Sequence, residues 1–400
     1  MHESFPFRTL DVLPVVEGRR VLVRVDFNVP VDDQDQVTDD TRIRGALDTL
    51  MELRRRGAEL ILMSHRGRPK GWGGASMEVV VPRLSELLEC DVAFIDDIAG
   101  DRAAKKAASL RPADVLLLQN LRYDPGEKAG DRDFARRLAA LGEFYVNDAF
   151  GTAHRADASV ALLPTLLPGY AGRLMTHELL ILSQLLHDAE HPYWAVVGGS
   201  KVSDKVELLD ALLDRVDGLA VGGGMANTFL VAEGYDMGAS KVESEAVKTA
   251  KRLLDKAAAK KVPLLLPERV TAAKDFKPDA EHRVAKPGEL GADEMALDVA
   301  PEAVDKMLET MTGARTVLWN GPMGVFEWDA FSEGTLRMAE GLANSSARVV
   351  VGGGDSVAAV ARAGVQDRLF HVSTGGGATL EFLQGKPLPG VEALINSIKG

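Results

Sequence analysis

The sequence has one cysteine, Cys90, so it can close no internal disulfide. That fits a reducing compartment, and a cytoplasmic location is expected. No apolar run approaches the ~20 residues that span a bilayer, so no membrane segment is expected. The N-terminal stretch MHESFPFRTL lacks an apolar core and a small-residue cleavage site, so no secretory leader is expected. There is no surplus of positive charge: 47 Lys and Arg stand against 59 Asp and Glu, a net of −12. Nucleic-acid binders usually carry a basic excess, so no nucleic-acid partner is expected. Low-complexity stretches and short repeats are absent. Two nucleotide signatures are missing as well, the G-x-x-x-x-G-K-[ST] loop and a G-x-G-x-x-G after a strand-like run. The second absence disfavours an NAD-dependent dehydrogenase.

What is present is a chain of 400 residues, 46% hydrophobic and 26% charged. Such a length suggests roughly two to three globular domains. Charge is unevenly divided. Residues 1–173 hold 24 Lys and Arg against 27 Asp and Glu, and the remainder 23 against 32. An anionic ligand therefore finds its easier site in the first half.

Short aliphatic runs alternate with amphipathic helical patterns throughout. In the first half the runs fall at 20–25, 58–63, 92–95, 115–118 and 143–146. In the second they fall at 194–197, 218–221, 262–266, 316–318, 347–351 and 368–372. Helical patterns cover 41–56, 131–141, 205–216 and 244–260. Apolar runs separated by helices read as buried parallel strands in βαβ units. Eleven strands in one sheet would be too wide, so the expected fold class is α/β, with two doubly wound parallel-sheet (Rossmann-like) domains joined by a hinge helix. The domains are placed at 1–173 and 191–384. An interdomain helix fills 174–190, and a tail over 385–400 carries a short helix at 391–398.

Ligands of open α/β sheets bind past the carboxyl ends of the strands. In the first half those positions carry Asp26, Phe27 and Asn28, then Ser64, His65, Arg66, Gly67 and Arg68, then Arg122, then His154 and Arg155. Arg42 opens the first helix. Arginine forks suit phosphate and carboxylate oxygens. A single arginine there is more often a surface ion pair. Five of them with His65, at four strand ends and one helix start, read as an anion site.

In the second half the strand ends are glycine-rich: Gly198-Gly199-Ser200-Lys201, Gly222-Gly223-Gly224, Gly321-Pro322-Met323-Gly324, Gly352-Gly353-Gly354-Asp355-Ser356 and Gly375-Gly376-Gly377. One glycine pair is usually a tight turn. Five such loops read as a nucleotide site, where bare N–H groups approach phosphate. Lys201 and Lys205, one turn apart, are expected to share a face. Asp355 offers a hard oxygen to Mg2+. The run from Trp319 to Trp328 reads equally as a packed loop or as a pocket wall in which Glu327 takes ribose hydroxyls.

These motifs, in order and spacing, resemble the phosphoglycerate kinase family over nearly the whole chain. The likeness is carried by Asp26-Phe27-Asn28-Val29-Pro30, Ser64-His65-Arg66-Gly67-Arg68-Pro69, Gly151-Thr152-Ala153-His154-Arg155-Ala156, Gly198-Gly199-Ser200-Lys201-Val202-Ser203-Asp204-Lys205, Gly222-Gly223-Gly224-Met225, Trp319-Asn320-Gly321-Pro322 and Ser373-Thr374-Gly375-Gly376-Gly377. The resemblance implies reversible transfer of the acyl phosphate of 1,3-bisphosphoglycerate to MgADP, giving 3-phosphoglycerate and MgATP, in a monomer that closes about a hinge. It implies that Asp26, Phe27, Asn28, Arg42, His65, Arg66, Gly67, Arg68, Arg122 and Arg155 hold the glycerate. It implies a nucleotide site of Gly198, Gly199, Lys201, Lys205, Gly222, Gly223, Leu297, Asn320, Pro322, Glu327, Gly353, Gly354, Asp355 and Ser356. Arg42, Lys201, Gly376 and Gly377 are the expected catalytic groups, with Asp355 on Mg2+ and the C-terminal tail back on the first domain.

The chain departs from the family at three places. Asp157 stands where the family usually has His, Ala296 and Ala300 where glycine is frequent, and Pro267-Glu268-Arg269 where an Asp commonly follows. A non-catalytic binding module is the remaining alternative, but it has no need of Arg42, Lys201 and Asp355 together.

Overall fold

The computed structural model describes residues 5–69, 72 and 74–397. The chain forms two units, Met1–Leu180 with Pro387–Gly400, and Ile181–Lys386. The division falls inside the helix Arg173–His187.

The first unit is built on six strands: β1 Arg20–Arg24, β2 Glu59–Met63, β3 Val92–Ile95, β4 Val115–Leu118, β5 Phe144–Asn147 and β6 Gly169–Ala171. All neighbours pair in parallel, in the order β3-β4-β2-β1-β5-β6. Register runs from Arg20–Glu59 to Arg24–Met63 between β1 and β2, and from Val21–Phe144 to Arg24–Asn147 between β1 and β5. β4 (VLLL) is buried at every residue, so it is a continuous apolar run rather than an alternating one. Strand order reverses between β1 and β5, which makes their carboxyl ends the switch-point crevice.

The second unit carries β7 Tyr193–Val197, β8 Gly218–Val221, β9 Leu264–Leu265, β10 Val270–Ala273, β11 His282–Ala285, β12 Met295–Val299, β13 Thr316–Asn320, β14 Arg348–Val351 and β15 His371–Val372. Six of them form a parallel sheet in the order β15-β14-β13-β7-β8-β9. Counted from β7, this is the doubly wound 3-2-1-4-5-6 order, with its crevice between β7 and β13. The core here is aromatic and branched, with Trp319, Val317, Val351 and Met338 buried.

Three features differ from the sequence reading. β6 (GYA) lies within the Pro/Gly-rich stretch 163–172; three residues beside Pro168 give no apolar run to detect. β10, β11 and β12 form a separate antiparallel sheet, ordered β11-β10-β12. Alanine-rich β10 (VTAA) and largely exposed β11 (HRVA) lack the β-branched signal of a buried strand. The helical pattern at 41–56 is split into Thr41–Gly45 and Leu47–Arg55. The C-terminal helix is Pro389–Asn396; Ile398, its expected end, lies outside the described residues.

Helix Arg173–His187 is anchored at its start. Thr49 Oγ1 accepts the Arg173 N–H at 2.7 Å, and Asp148 Oδ1 accepts the Met175 N–H at 3.2 Å. Both satisfy first-turn N–H groups that have no partner within the helix.

Gly218 sits opposite Trp194 in the β7–β8 register, and a Cβ there would come within 2.3 Å of the indole. Gly218→Ala is expected to lower stability by about 1–3 kcal/mol through overpacking. A reduced midpoint in urea unfolding would register it; an unchanged midpoint would mean that the indole shifts freely.

Candidate active site

The loop after β1 carries Asp26, Phe27 and Asn28. Asp26 Oδ2 accepts a 2.8 Å hydrogen bond from Arg42 Nη1, and its Oδ1 accepts the Asn28 N–H at 3.2 Å. Asn28 Oδ1 accepts the Gly67 N–H at 2.8 Å, which ties this loop to the one after β2. Phe27 adds no side-chain surface; its ring is fully buried and its N–H donates to Ser64 Oγ at 2.8 Å. Arg122 follows β4, donates to the Gly67 carbonyl at 2.5 Å and keeps its Nε buried without a hydrogen-bond partner. Arg66 is drawn away to the Ser76 carbonyl, 3.1 Å from its Nε, while Arg68 is exposed on the same loop.

His65 is the centre of this edge. It is buried, with Nδ1 3.2 Å from Arg24 Nη2 and Nε2 3.4 Å from Arg155 Nη1. A guanidinium only donates, and each ring nitrogen faces one, so a doubly protonated ring would set donor against donor on both sides. Burial, followed by the charges of Arg24, Arg122, Arg155 and Arg42, holds the imidazole well below its ordinary pKa. The ring is therefore neutral among four cations.

Under that edge lies a layer that the sequence reading missed. Arg24, the last residue of β1, is fully buried. It donates to Ser159 Oγ at 2.8 Å and to the Val25 carbonyl at 2.5 Å, and lies 4.0 Å from Glu127 Oε1. Glu127 is also fully buried and accepts from the Ser159 N–H at 2.9 Å and the Ser159 Oγ–H at 2.5 Å. Burial pushes its carboxyl up, against the pull of Arg24 and Ser159. A signal was available, since Arg24 interrupts an otherwise apolar strand run. Asp157 is buried nearby and favours the charged form of Arg122, whose guanidinium burial and Arg155 disfavour.

In the second unit a cleft of about 570 Å3 opens among Gly199, Gly223, Leu297, Pro322, Glu327 and Asp355. Ala296, Met295 and Phe276 also line it, and the Phe276 ring is tilted against Trp328 with centroids 4.5 Å apart. Ala300 does not reach it; it is buried where helix Pro301–Thr310 begins. Gly198 and Gly222 serve close packing: a Cβ would meet the Pro322 carbonyl oxygen at 2.0 Å and Met323 at 2.3 Å. Gly353 has φ +95°, which suits glycine, and leads into helix Gly354–Ala363 with Asp355 in its first turn. Ser356 is buried and accepts the Gly321 N–H at 2.5 Å. Gly376 and Gly377 open helix Gly377–Leu383.

Lys201 and Lys205 do not share a helix face. Residues 202–205 form a turn, closed by the Lys205 N–H on the Val202 carbonyl at 2.9 Å, and the helix starts at Val206. Lys201 is exposed. Lys205 turns inward and donates to Asn320 Oδ1, while Asn320 Nδ2 donates to the Gly352 carbonyl at 2.6 Å. Burial lowers the Lys205 ammonium to about 8, partly offset by Asp355 and Asp204. A larger groove in the first unit, about 1020 Å3, lies among Arg54, Glu89 and His177 and contains no strand-end residue named above. Volume alone does not mark the chemistry.

A cationic rim and a glycine-floored cleft, each at the carboxyl ends of a doubly wound sheet, are the equipment of a phosphotransferase. The phosphoglycerate kinase family model matches residues 11–386. Phosphoglycerate kinase of Roseiflexus castenholzii is 50% identical over 381 residues, covering 94% of this chain and 96% of that one. That of Chlorobaculum tepidum is 48% identical over 385 residues, covering 95% and 97%. The solved phosphoglycerate kinase structure from Coxiella burnetii superposes with a TM-score of 0.88 at 40% identity, covering 97% of this chain and 99% of that one. The structure from Pyrococcus horikoshii gives 0.87 at 31% identity, covering 98% and 99%. The chain belongs to the phosphoglycerate kinase family. Its reaction is that family's reversible phosphoryl transfer between 1,3-bisphosphoglycerate with ADP and 3-phosphoglycerate with ATP, a step of glycolysis.

His65 should titrate in the free protein below the ordinary imidazole range. Binding of 3-phosphoglycerate should raise its pKa, because an anion among the arginines favours the charged ring. An NMR pH titration with and without the acid reads both; an unshifted His65 in the free protein would contradict the burial argument.

Proposed function

We propose that the first unit holds the glycerate ligand and the second the nucleotide. The observation that carries this reading is the convergence of Arg24, Arg42, Arg122 and Arg155 on one buried, neutral imidazole. Arg24 is paired with buried Glu127 and Arg42 with Asp26. Arg122 and Arg155 are left to meet phosphate and carboxylate oxygens beside His65, with Asn28 and Gly67 shaping the loop and Arg68 at its exposed margin. In the second unit Gly199, Gly223, Leu297, Pro322 and Glu327 surround the nucleoside. Gly353, Gly354 and Ser356 form the helix start for its phosphates. Lys205 and Asn320 act as a pair there.

In the direction of acid phosphorylation, a carboxylate oxygen of 3-phosphoglycerate attacks the terminal phosphorus of ATP as the P–O bond to ADP breaks. The acid is already ionised at neutral pH, so no general base is needed. The chemical demand is alignment and neutralisation of charge spread over the transferred group. Arg42 and Lys201 supply that charge, and the Gly376 and Gly377 N–H groups supply fixed donors at a helix start.

Among the described residues no group of three or more His, Cys, Asp or Glu could hold a metal ion. A lone exposed Asp355 suits Mg2+ that takes its other oxygens from nucleotide phosphates and water. So held, Mg2+ neutralises phosphate charge. We further propose that the protein acts as a monomer in the cytoplasm; among the described residues no helix is long and apolar enough to cross a membrane.

Arg42→Ala and Lys201→Ala are each expected to lower kcat by ~10²–10³ with the fold retained. ATP consumption with 3-phosphoglycerate and Mg2+, trapping the acyl phosphate, measures it; near-normal turnover in both variants would overturn these roles. ADP affinity should also weaken as pH rises through about 8, because only protonated Lys205 attracts phosphate. Calorimetry at pH 7 and 9 would show this. Lys205→Met should flatten the dependence, and an unchanged slope would rule Lys205 out as its source.

A further inference from the structure

The turn that carries Lys201 and Lys205 is not capped from within. Lys205 occupies the N-cap of helix Val206–Leu212 with no side-chain cap hydrogen bond. The turn is held instead by Glu243, 40 residues along the chain. Glu243 Oε2 accepts the Ser203 N–H at 3.0 Å, and its Oε1 accepts the Ser203 Oγ–H. The Val202 backbone adds to the pull on the same carboxylate. Burial acts to raise the Glu243 carboxyl, but Ser203, Val202 and the Lys201 charge outweigh it and hold the group below its ordinary range.

Glu243 is itself fixed at a second point. Its N–H donates to Thr228 Oγ1 at 3.0 Å, and Thr228 is buried on helix Gly223–Ala232. That helix begins in the Gly222–Gly224 loop of the nucleotide cleft. The Glu243 carboxylate does not cap the short helical turn Ser244–Ala246 that it precedes. Its acceptor capacity goes to the lysine turn.

We propose that Glu243 is a positioning residue for the kinase reaction: it clamps the turn midway between Lys201 and Lys205 and fastens it to the helix of the glycine loop. Lys201 immediately precedes buried Val202, whose carbonyl receives the Lys205 N–H. Fixing Val202 and Ser203 therefore sets where both ammonium groups start. Long lysine side chains have large rotamer freedom, so a loose turn would spread their charge over many positions. The inference rests on the lysine roles proposed above.

The test is a double-substitution cycle on the full chain with Glu243→Gln and Lys201→Ala. A glutamine keeps the shape but loses the charge and one strong acceptor. Glu243→Gln is expected to lower kcat by about 10-fold, with KM for 3-phosphoglycerate and the melting midpoint near wild type. In the Lys201→Ala background the same change should cost little more, because residues that act through one another are not additive. Ser203→Ala, which removes one of the two hydrogen bonds from Ser203, should show a smaller loss of the same kind. Wild-type kcat in Glu243→Gln would overturn the inference. So would a fully additive loss in the double variant, or a loss that tracks a fallen melting midpoint. If Lys201→Ala alone keeps wild-type kcat, the lysine role itself fails, which is a distinguishable result.

Discussion

A parallel sheet has the carbonyl ends of all its strands at one edge, so whatever follows each strand is delivered to a single rim. Both large sheets obey this constraint, and the chemistry of the chain hangs on it. In the first unit the rim receives Asp26, His65, Arg122 and Asn147 from four separate segments. In the second it receives Gly198, Gly222, Gly321 and Gly352. None of these residues is near the others in sequence. The sheet converts a one-dimensional pattern of strand ends into a surface with one electrostatic character per unit.

The two rims carry donors of opposite kinds. The first uses charge on long side chains, and it must keep those side chains from collapsing onto carboxylates. Its answer is a buried layer: Arg24 and Glu127 neutralise one another beneath the surface, with Ser159 bonded to both. Breaking such a pair from one side would leave an uncompensated buried charge. His65, bonded to Arg24 on one side and facing Arg155 on the other, is kept neutral by its neighbours and by burial. The second rim uses backbone. Gly198 and Gly222 let strand ends touch, and Gly353 turns the chain into a helix whose first N–H groups face outward. Its one inward ammonium, Lys205, is shared with Asn320 rather than with a carboxylate.

Most of the architecture was legible in the sequence because a strand buried on both faces has no polar residue to disguise it. VLLL at β4 and the Val-rich run at β14 could hardly be read otherwise. The elements that escaped were those whose identity depends on partners far along the chain. β6 has three residues and is defined by pairing with β5; β10 and β11 are defined by each other. The site was legible where function needs an unusual residue at a strand end, as with His65 or the Gly352–Gly354 run. It was not legible where the residue works from beneath. Glu127 and Ser159 occupy short helical turns with ordinary local sequence, and only the fold brings them to Arg24. The pattern of Lys201 and Lys205 suggested a helix face because spacing records distance along the chain, not the turn that Ser203 and Glu243 impose.

The last described residues belong to the first unit. Leu388 and Leu394 are buried there, and the Gly390 N–H donates to the Ala153 carbonyl at 2.8 Å, beside the loop that bears Arg155. During synthesis the N-terminal unit emerges from the ribosome first. Its own closing piece emerges only after the whole of the second unit has been made. The amino-terminal half therefore waits through some 200 residues of translation with one side uncovered. The loop that presents Arg155 gains its Gly390 contact only after residues 181–386 have been made, so order of birth and order of completion differ within this unit.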